Sequence, residues 1–343
     1  MRVLRVSGWL ALRFRTRALA VGAGCALAAL GLGVLAIGSG DYPMGPVDVV
    51  RTLAGAGTPT DAFIVNELRL PRVVTALLAG AALALSGAVL QAVVRNPLGS
   101  PDLLGFTRGA ATGALTAIVV VGGGALALSA GAVAGGLAAA AAIYALAWRR
   151  GLHGYRLVLV GIGADAILAG VDGYLLTRAD ITDAARAVRW LTGSLDGCGW
   201  DDAWALLAVL AVTVPVVLVG CGPALRILEL GDDAAHALGV RVEPLRLVLV
   251  TAAVLLSAAA AAACGPVAFV ALTAPQLARR LARGPGPNLL ASLGMGAVLL
   301  VAADLAGQRL VPGHQLAAGV LTGALGGGYL VWLLAAQRRA GRL

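Results

Sequence analysis

The sequence predicts an all-α integral membrane protein of about ten transmembrane helices. Hydrophobic residues make up 59% of the 343 positions and charged residues only 13%, so the chain carries more apolar side chain than one soluble core can hide. The apolar residues form uninterrupted blocks of roughly 18 to 22, the length that a helix needs to cross a bilayer. The blocks do not alternate with polar residues, as the strands of a membrane β-barrel do.

The first apolar block runs over residues 18–37, behind a cluster of arginines. It is longer than the apolar core of a signal peptide and has no clear cleavage site, so we expect it to remain as the first helix. A polar segment follows over 38–70. The nine further predicted spans are 72–94, 104–124, 125–148, 156–177, 203–222, 246–264, 266–282, 288–306 and 316–336. No soluble insertion is long enough for a second domain, so we expect one transmembrane domain over 1–343.

The positions of the arginines predict the orientation. The chain has 26 basic residues, all arginine, and a net charge of +9. If the N-terminus is cytoplasmic, 19 arginines fall in inside segments and 7 in outside segments, as the positive-inside rule requires. The inside set includes Arg15, Arg108, Arg149, Arg150, Arg338, Arg339 and Arg342. We therefore expect a multi-pass cell-membrane protein with both termini in the cytoplasm, and no nucleic-acid partner.

Small residues crowd the spans, as in Gly80-Ala81-Ala82 and Gly135-Gly136. Such residues let helix backbones approach closely where lipid provides no hydrophobic drive for association. The four cysteines have no CxxC spacing. We expect them to be small buried residues and not a disulfide or a metal site.

The motifs of common enzymes are missing from the sequence. It contains no GxSxG, no HExxH and no P-loop, and its three histidines lie far apart. We therefore expect no catalytic residues and no cofactor bound by this chain. A chain that moves a solute without a nucleotide site must use an ion gradient, act as a channel, or borrow ATP hydrolysis from another polypeptide.

Residues 226–246 form the largest predicted inside loop. Its pattern predicts two short helices around Gly231, with two acids in the first turn of the second helix and a glycine stop at its end. A short exposed helix with Ala234, Ala235 and Leu238 on one side would fit a groove on a partner, although an ordinary solvated connector explains the pattern equally well. The residues of this candidate contact are Leu230, Gly231, Asp232, Asp233, Ala234, Ala235, Leu238 and Gly239.

Two acids, Asp165 and Asp172, lie seven residues apart in the fifth predicted span and so share one helix face. A carboxylate at mid-span costs about 2.5 to 3.5 kcal/mol on insertion scales, so neither should face lipid. They either line a polar path for the substrate or are protonated or hydrogen-bonded within the bundle, and the sequence leaves both open.

A series of motifs runs along nearly the whole chain. In order, they are Leu68–Arg72, Gly80–Gln91, Arg95–Leu98, Pro101 with Leu103–Gly105, Trp190–Leu195, Leu230–Gly239, Gly265–Val270, Ala274-Pro275 with Arg279, and Ala303-Asp304. Together they resemble the FecCD family, the BtuC-like permeases of the vitamin B12 and iron-siderophore ABC importers. Several motifs at matching spacing are more specific than any one of them.

The resemblance implies two permeases around one path, two cytoplasmic ATPase subunits that bind ATP-Mg, and an extracytoplasmic substrate-binding lipoprotein. The loop Leu230–Gly239 would be the coupling element seated on the ATPase. Arg69 and Arg72 match family arginines that receive acidic groups of the binding protein, and Arg309 lies one position from a third. Arginines at a helix end can instead simply anchor at lipid headgroups.

Three departures from the family pattern are visible. Gln276 stands where many members have histidine, Gln315 opens a segment that usually begins with glutamate, and Gln308 aligns with the third arginine. Such changes resemble the second permease of heterodimeric ferric-siderophore systems, so we expect a heterodimer rather than a homodimer. We interpret the chain as an iron-siderophore ABC permease; the alternative is an ion-coupled secondary transporter that uses Asp165 and Asp172.

Overall fold

Helices form nearly all of the regular structure in the computed structural model, which describes residues 2–7, 10–14, 16–40, 42–148, 151, 154–284, 286–311 and 314–339. The helices are α1 (Thr16–Gly38), α2 (Pro46–Leu53), α3 (Pro59–Phe63), α4 (Leu70–Val94), α5 (Phe106–Val119), α6 (Ala125–Ala147), α7 (Gly154–Arg178), α8 (Ile181–Leu191), α9 (Trp200–Pro215), α10 (Gly222–Leu228), α11 (Asp232–Ala237), α12 (Val242–Cys264), α13 (Val270–Ala282), α14 (Leu289–Arg309) and α15 (Ala318–Arg339). Two π-helical segments, Ile64–Arg69 and Val216–Cys221, continue into α4 and α10.

Two short strands, β1 (Arg2–Ser7) and β2 (Leu10–Phe14), pair antiparallel ahead of α1. The sequence predicted only a charged segment there. The prediction of an all-helical fold is confirmed for the rest of the described chain.

Helix α4 forms the centre of the bundle. Nearly every residue between Pro71 and Val94 is buried, and α4 packs against α9, α12, α13 and α14. A helix that is apolar on all sides is stable only when other helices surround it. In contrast, most of α7 is exposed on this chain, so α4 is a core element and α7 a peripheral one.

Glycines bring α4 and α14 into close contact. A Cβ atom on Gly80 would overlap the carbonyl oxygen of Gly296, and one on Gly296 would overlap that of Gly80. Helices α5 and α6 cross in the same way, where a Cβ on Gly135 would meet the carbonyl of Gly109. The predicted use of small residues for tight packing is confirmed at these two crossings.

Seven described helices are long and apolar enough to span a membrane. Among the three other predicted spans, α5 and α13 have only 14 and 13 residues, and the apolar part of α15 is Ala318–Trp332. The predicted number of ten spans is therefore not confirmed. Proline and glycine explain the shorter helices, because Pro101 and Gly105 precede α5 and Gly265 and Pro266 precede α13.

The loops before α5 and α13 touch through Asp102. Its carboxylate accepts hydrogen bonds from the Thr107 hydroxyl at 2.8 Å and from the Phe269 backbone N–H at 3.3 Å. Phe269 has a left-handed backbone with φ of 67°, a conformation that costs energy for a bulky residue. The carboxylate thus holds the start of α13 against the start of α5.

The predicted outside and inside segments meet at opposite ends of the bundle. One end, which we call the Arg72 end, brings together Arg72, Ser39, Asp304 and Arg309. The other, the Asp232 end, brings together α11, the end of α4 and the start of α12. Arg15, Arg149, Arg150 and Arg342, which enter the predicted orientation, lie outside the described residues.

Candidate functional site

Arg72 lies in the first turn of α4, and its guanidinium forms an ion pair with the Asp304 carboxylate of α14. Nη2 lies 2.8 Å from Oδ1 and Nε lies 3.1 Å from Oδ2. The Asp304 side chain is 2% exposed and that of Arg72 16%, so the pair is largely shielded from water. A two-pronged arginine–carboxylate contact is strong and fixes orientation, and it therefore sets α4 against α14.

Further polar groups complete this network. Arg72 Nη1 donates to Gln315 Oε1 at 3.2 Å and lies 3.5 Å from Asp196 Oδ1. Gln308 donates from Nε2 to Asp304 Oδ2 at 2.8 Å. Two of the three predicted departures from the family pattern, Gln308 and Gln315, thus lie in one network. Gln308 stands in place of an arginine and Gln315 in place of a glutamate. Together they remove one positive and one negative charge, so the net charge of the network is unaltered.

The two other predicted docking arginines also bind within the chain. Arg69 donates to the carbonyls of Ile37 at 2.7 Å and Tyr42 at 2.8 Å. Arg309 is exposed and donates to the Ser39 hydroxyl at 2.7 Å. Among the described residues no acid lies within ion-pair distance of Arg309, so its charge is available at the surface, whereas that of Arg72 is balanced by Asp304.

The loop at the Asp232 end has the predicted form. Helices α10 and α11 flank Gly231, whose φ is +115°. At the end of α11 the N–H of Gly239 donates to the His236 carbonyl at 3.0 Å, and the N–H of Val240 donates to the Ala235 carbonyl at 2.9 Å. These two hydrogen bonds around a glycine with a left-handed backbone form a Schellman motif, which ends the helix. The predicted helix pair and glycine stop are confirmed.

The prediction that Ala235 lies on the exposed side of α11 is wrong. Ala235 is fully buried in the core of its own chain, so it cannot touch a partner. Its single methyl group allows α11 to lie close to α10 and α12. The side chains that do project are Leu230 and Leu238, which are 70% and 62% exposed, and Ala234 is half-buried.

Asp232 makes ion pairs with two other helices. The same oxygen, Oδ1, lies 2.7 Å from Nη2 of Arg246 and 3.2 Å from Nη2 of Arg95. Arg246 also lies 3.5 Å from Glu243. Asp233 is exposed and has no ion pair among the described residues. The first of the two first-turn acids therefore contributes to tertiary structure.

Glu229 follows α10 on the same side of the molecule. Burial raises the pKa of its carboxyl above the ordinary value, and the positive charges of Arg279 and Arg226 oppose that rise. The carboxyl therefore takes up a proton more readily than a solvated glutamate does as the pH falls.

Arg108 of α5 reaches both acids of α7. It lies 3.3 Å from Asp165 and 3.7 Å from Asp172, and the Thr112 hydroxyl donates to Asp172 at 2.5 Å. The shared face of the two acids is confirmed, and they are paired within the bundle. Arg108, which was counted with the arginines of the inside segments, lies within α5. The start of α5 is close to the middle of α7, because a Cβ atom added to Gly105 would be 3.3 Å from the backbone N of Asp165.

The described part of the chain contains no cluster of three or more histidine, cysteine, aspartate or glutamate side chains that could hold a metal ion. All four cysteines are buried with free thiols.

Known proteins are similar to this chain over nearly its whole length. Residues 10–336 match the model of the FecCD transport family. The chain is 41% identical over 309 residues to the ferric enterobactin transport system permease protein FepG of Escherichia coli K12, covering 90% of this chain and 93% of FepG. It is 40% identical over 316 residues to the achromobactin transport system permease protein CbrC of Dickeya dadantii, covering 91% and 90%. A solved structure described as a metal-chelate type ABC transporter in an inward-facing conformation is similar at 27% identity, with a TM-score of 0.79 over 93% of this chain and 99% of that one.

The Arg72 network gives a prediction about stability. Replacing Asp304 with asparagine leaves the shielded guanidinium of Arg72 without its main counter-charge, which typically costs about 3 kcal/mol or more. We expect Asp304→Asn to lower the midpoint of thermal unfolding in detergent. Asp196→Asn serves as the control, since this acid is exposed and its pairing with Arg72 is worth at most about 1 kcal/mol. Equal unfolding midpoints for the two variants would contradict the assignment.

Proposed function

The chain belongs to the FecCD transport family, and from this membership we propose that it is the permease subunit of an ABC importer that moves iron-siderophore-type substrates into the cytoplasm. The family match over residues 10–336 is the observation that carries the proposal. Relatives named for ferric enterobactin and achromobactin transport support the class of substrate. Residues 1–343 would form one permease domain in the cell membrane.

The energy for transport enters through separate subunits. The sequence has no P-loop, so ATP-Mg would bind to two cytoplasmic ATPase subunits and this chain would hold no cofactor. The loop 226–246 is the candidate contact with the ATPase. Leu230 and Leu238 support it, because two large apolar side chains exposed beside a short helix suit a groove on a partner.

The orientation follows from this contact. The Asp232 end, together with both termini, would face the cytoplasm, and the Arg72 end would face outward. Arg69, Arg72 and Arg309 would then lie on the surface that meets an extracytoplasmic substrate-binding lipoprotein. A second FecCD-type permease, different from this chain, would complete the path as a heterodimer within the lipid bilayer.

The ion-coupled alternative has less support. A proton or sodium relay needs acids that can change their partner during transport, whereas Asp165 and Asp172 both face Arg108 and Asp172 also accepts the Thr112 hydroxyl. The pairing instead explains how two carboxylates are tolerated in an apolar helix.

Transport by the reconstituted complex tests the proposed function. We expect proteoliposomes that contain this chain with its co-expressed permease and ATPase to take up radiolabelled iron presented with the binding protein as ferric enterobactin, ferric citrate or a ferric hydroxamate. Uptake should require ATP hydrolysis and the ATPase. Uptake driven by a pH gradient in the absence of the ATPase would contradict the proposal and favour the ion-coupled transporter.

The ATPase contact can be tested at Leu238. Replacing this exposed leucine with glutamate puts an unpaired charge into an apolar contact, so we expect Leu238→Glu to weaken ATPase association at least about tenfold, which corresponds to about 1.4 kcal/mol. The measurement is co-purification and surface plasmon resonance in detergent. Leu310→Glu makes the same change at an exposed leucine of the Arg72 end and should leave association unaltered. Normal binding by Leu238→Glu would reject the contact.

The outer docking surface can be tested at Arg309, whose removal breaks no ion pair among the described residues. We expect Arg309→Glu to slow association of the binding protein, and the difference from wild type to shrink as salt is added, because rim charges act through screened fields. Arg51→Glu reverses a second exposed charge, on α2, and controls for net charge. An unchanged association rate at low salt would exclude Arg309 from the docking surface.

A further inference from the structure

We propose that Asp232 is a positioning residue that transmits movement of the loop 226–246 to the buried helix α4. The inference rests on the proposed function of this loop as the ATPase contact. It adds the route by which a displacement at the surface enters the bundle, through the ion pairs of one carboxylate with Arg95 and Arg246.

The carboxylate is placed where three helices meet. Asp232 is the first residue of α11, Arg246 lies in the second turn of α12, and Arg95 follows the last residue of α4. Oδ1 accepts a hydrogen bond from Arg246 Nη2 at 2.7 Å and lies 3.2 Å from Nη2 of Arg95. Any movement of α11 therefore changes the distance from this oxygen to α4, to α12, or to both.

The two arginines differ in burial, and their contacts with Asp232 therefore differ in how easily they break. Arg246 is 2% exposed, and separating a buried guanidinium from its nearest acid is costly. Arg95 is 41% exposed, so water can replace its acid at little cost. The contact with Arg246 therefore holds α11 on α12, and the contact with Arg95 is the one that can break and form again.

Arg95 is well placed to move α4. It has a left-handed backbone with φ of 55°, and its N–H donates to the carbonyl of Ala92 in the last turn of α4. Its guanidinium also lies against Gly231, where an added Cβ would be 3.3 Å from Nη1. The side chain thus contacts both Gly231 and Asp232, which together form the start of α11.

The exposed leucines of the loop are separate from these contacts. Leu230 and Leu238 project outward, while Ala235 and the pair of Asp232 with Arg246 face the bundle. Neither leucine takes part in the two ion pairs, so each can be replaced without removing a charged group. Binding and transmission then depend on different residues and can be separated by substitution.

The experiment compares the assembled complex carrying Asp232→Asn or Arg95→Gln with wild type in proteoliposomes. The readout is iron taken up per ATP hydrolysed, with the ferric chelate that the wild-type complex transports. We expect both variants to bind the ATPase and hydrolyse ATP while this ratio falls at least about fivefold, the lower range of measured coupling between sites. Because Arg95 is partly exposed, Arg95→Gln should fold even if Asp232→Asn does not.

Three controls define the outcome. Asp233→Asn removes the same charge from the same turn and should change at most the affinity for the ATPase, with a normal ratio of uptake to hydrolysis. The double variant should be no worse than Asp232→Asn alone, because that substitution already breaks the contact with Arg95. Asp232→Glu should restore part of the ratio.

The results distinguish this inference from the function on which it rests. Weak ATPase binding by Leu238→Glu together with a normal ratio for Arg95→Gln would overturn the role of Asp232 and leave the ATPase contact standing. Normal ATPase binding by Leu238→Glu would overturn the contact itself. A ratio that falls equally in Asp233→Asn would also overturn the inference, since loss of charge alone would then explain the effect.

Discussion

A charge inside an apolar bundle must be met by an opposite charge or by hydrogen-bond partners, and the arrangement of the helices depends on this requirement. Arg72 joins α4 to α14, Arg108 joins α5 to α7, and Arg246 joins α12 to α11. Glycines at a helix crossing bring the two backbones together but do not fix the position of one helix along the other. An arginine–carboxylate pair between two helices does fix that position. The acids that look anomalous in the sequence are therefore the groups that fix neighbouring helices to each other.

The same requirement decides which surfaces remain for partners. An arginine that balances a buried acid cannot also give its charge to another protein without leaving that acid unpaired. Arg72 is in this position, while Arg309 donates to the Ser39 hydroxyl and has no ion pair within the described part of the chain. At the opposite end, Leu230 and Leu238 are among the apolar residues that remain exposed. At each end of the bundle, the side chains proposed to contact partners thus differ from those that hold the helices together.

Features that depend on local sequence could be predicted, and those that depend on packing could not. The apolar spans follow from composition, and the glycine stop at Gly239 follows from turn chemistry within one short segment. The inward direction of Ala235 and the pairing of Arg108 with two acids more than 50 residues away depend on how α11 and α5 sit in the bundle. The lengths of α5 and α13 were overestimated because apolar loop residues extend the hydrophobic blocks beyond the helices.

Helix α4 connects the two charged ends. Arg72 lies in its first turn and Arg95 follows its last residue, about 35 Å apart at the rise of an α-helix. Between them the helix is buried and packs closely against α14 at Gly80, so it has little room to bend. A change in the contact between Arg95 and Asp232 would therefore alter the forces on Arg72 and Asp304 at the other end. One rigid helix with an ionic contact at each end is a physical means by which events at the two surfaces can influence each other.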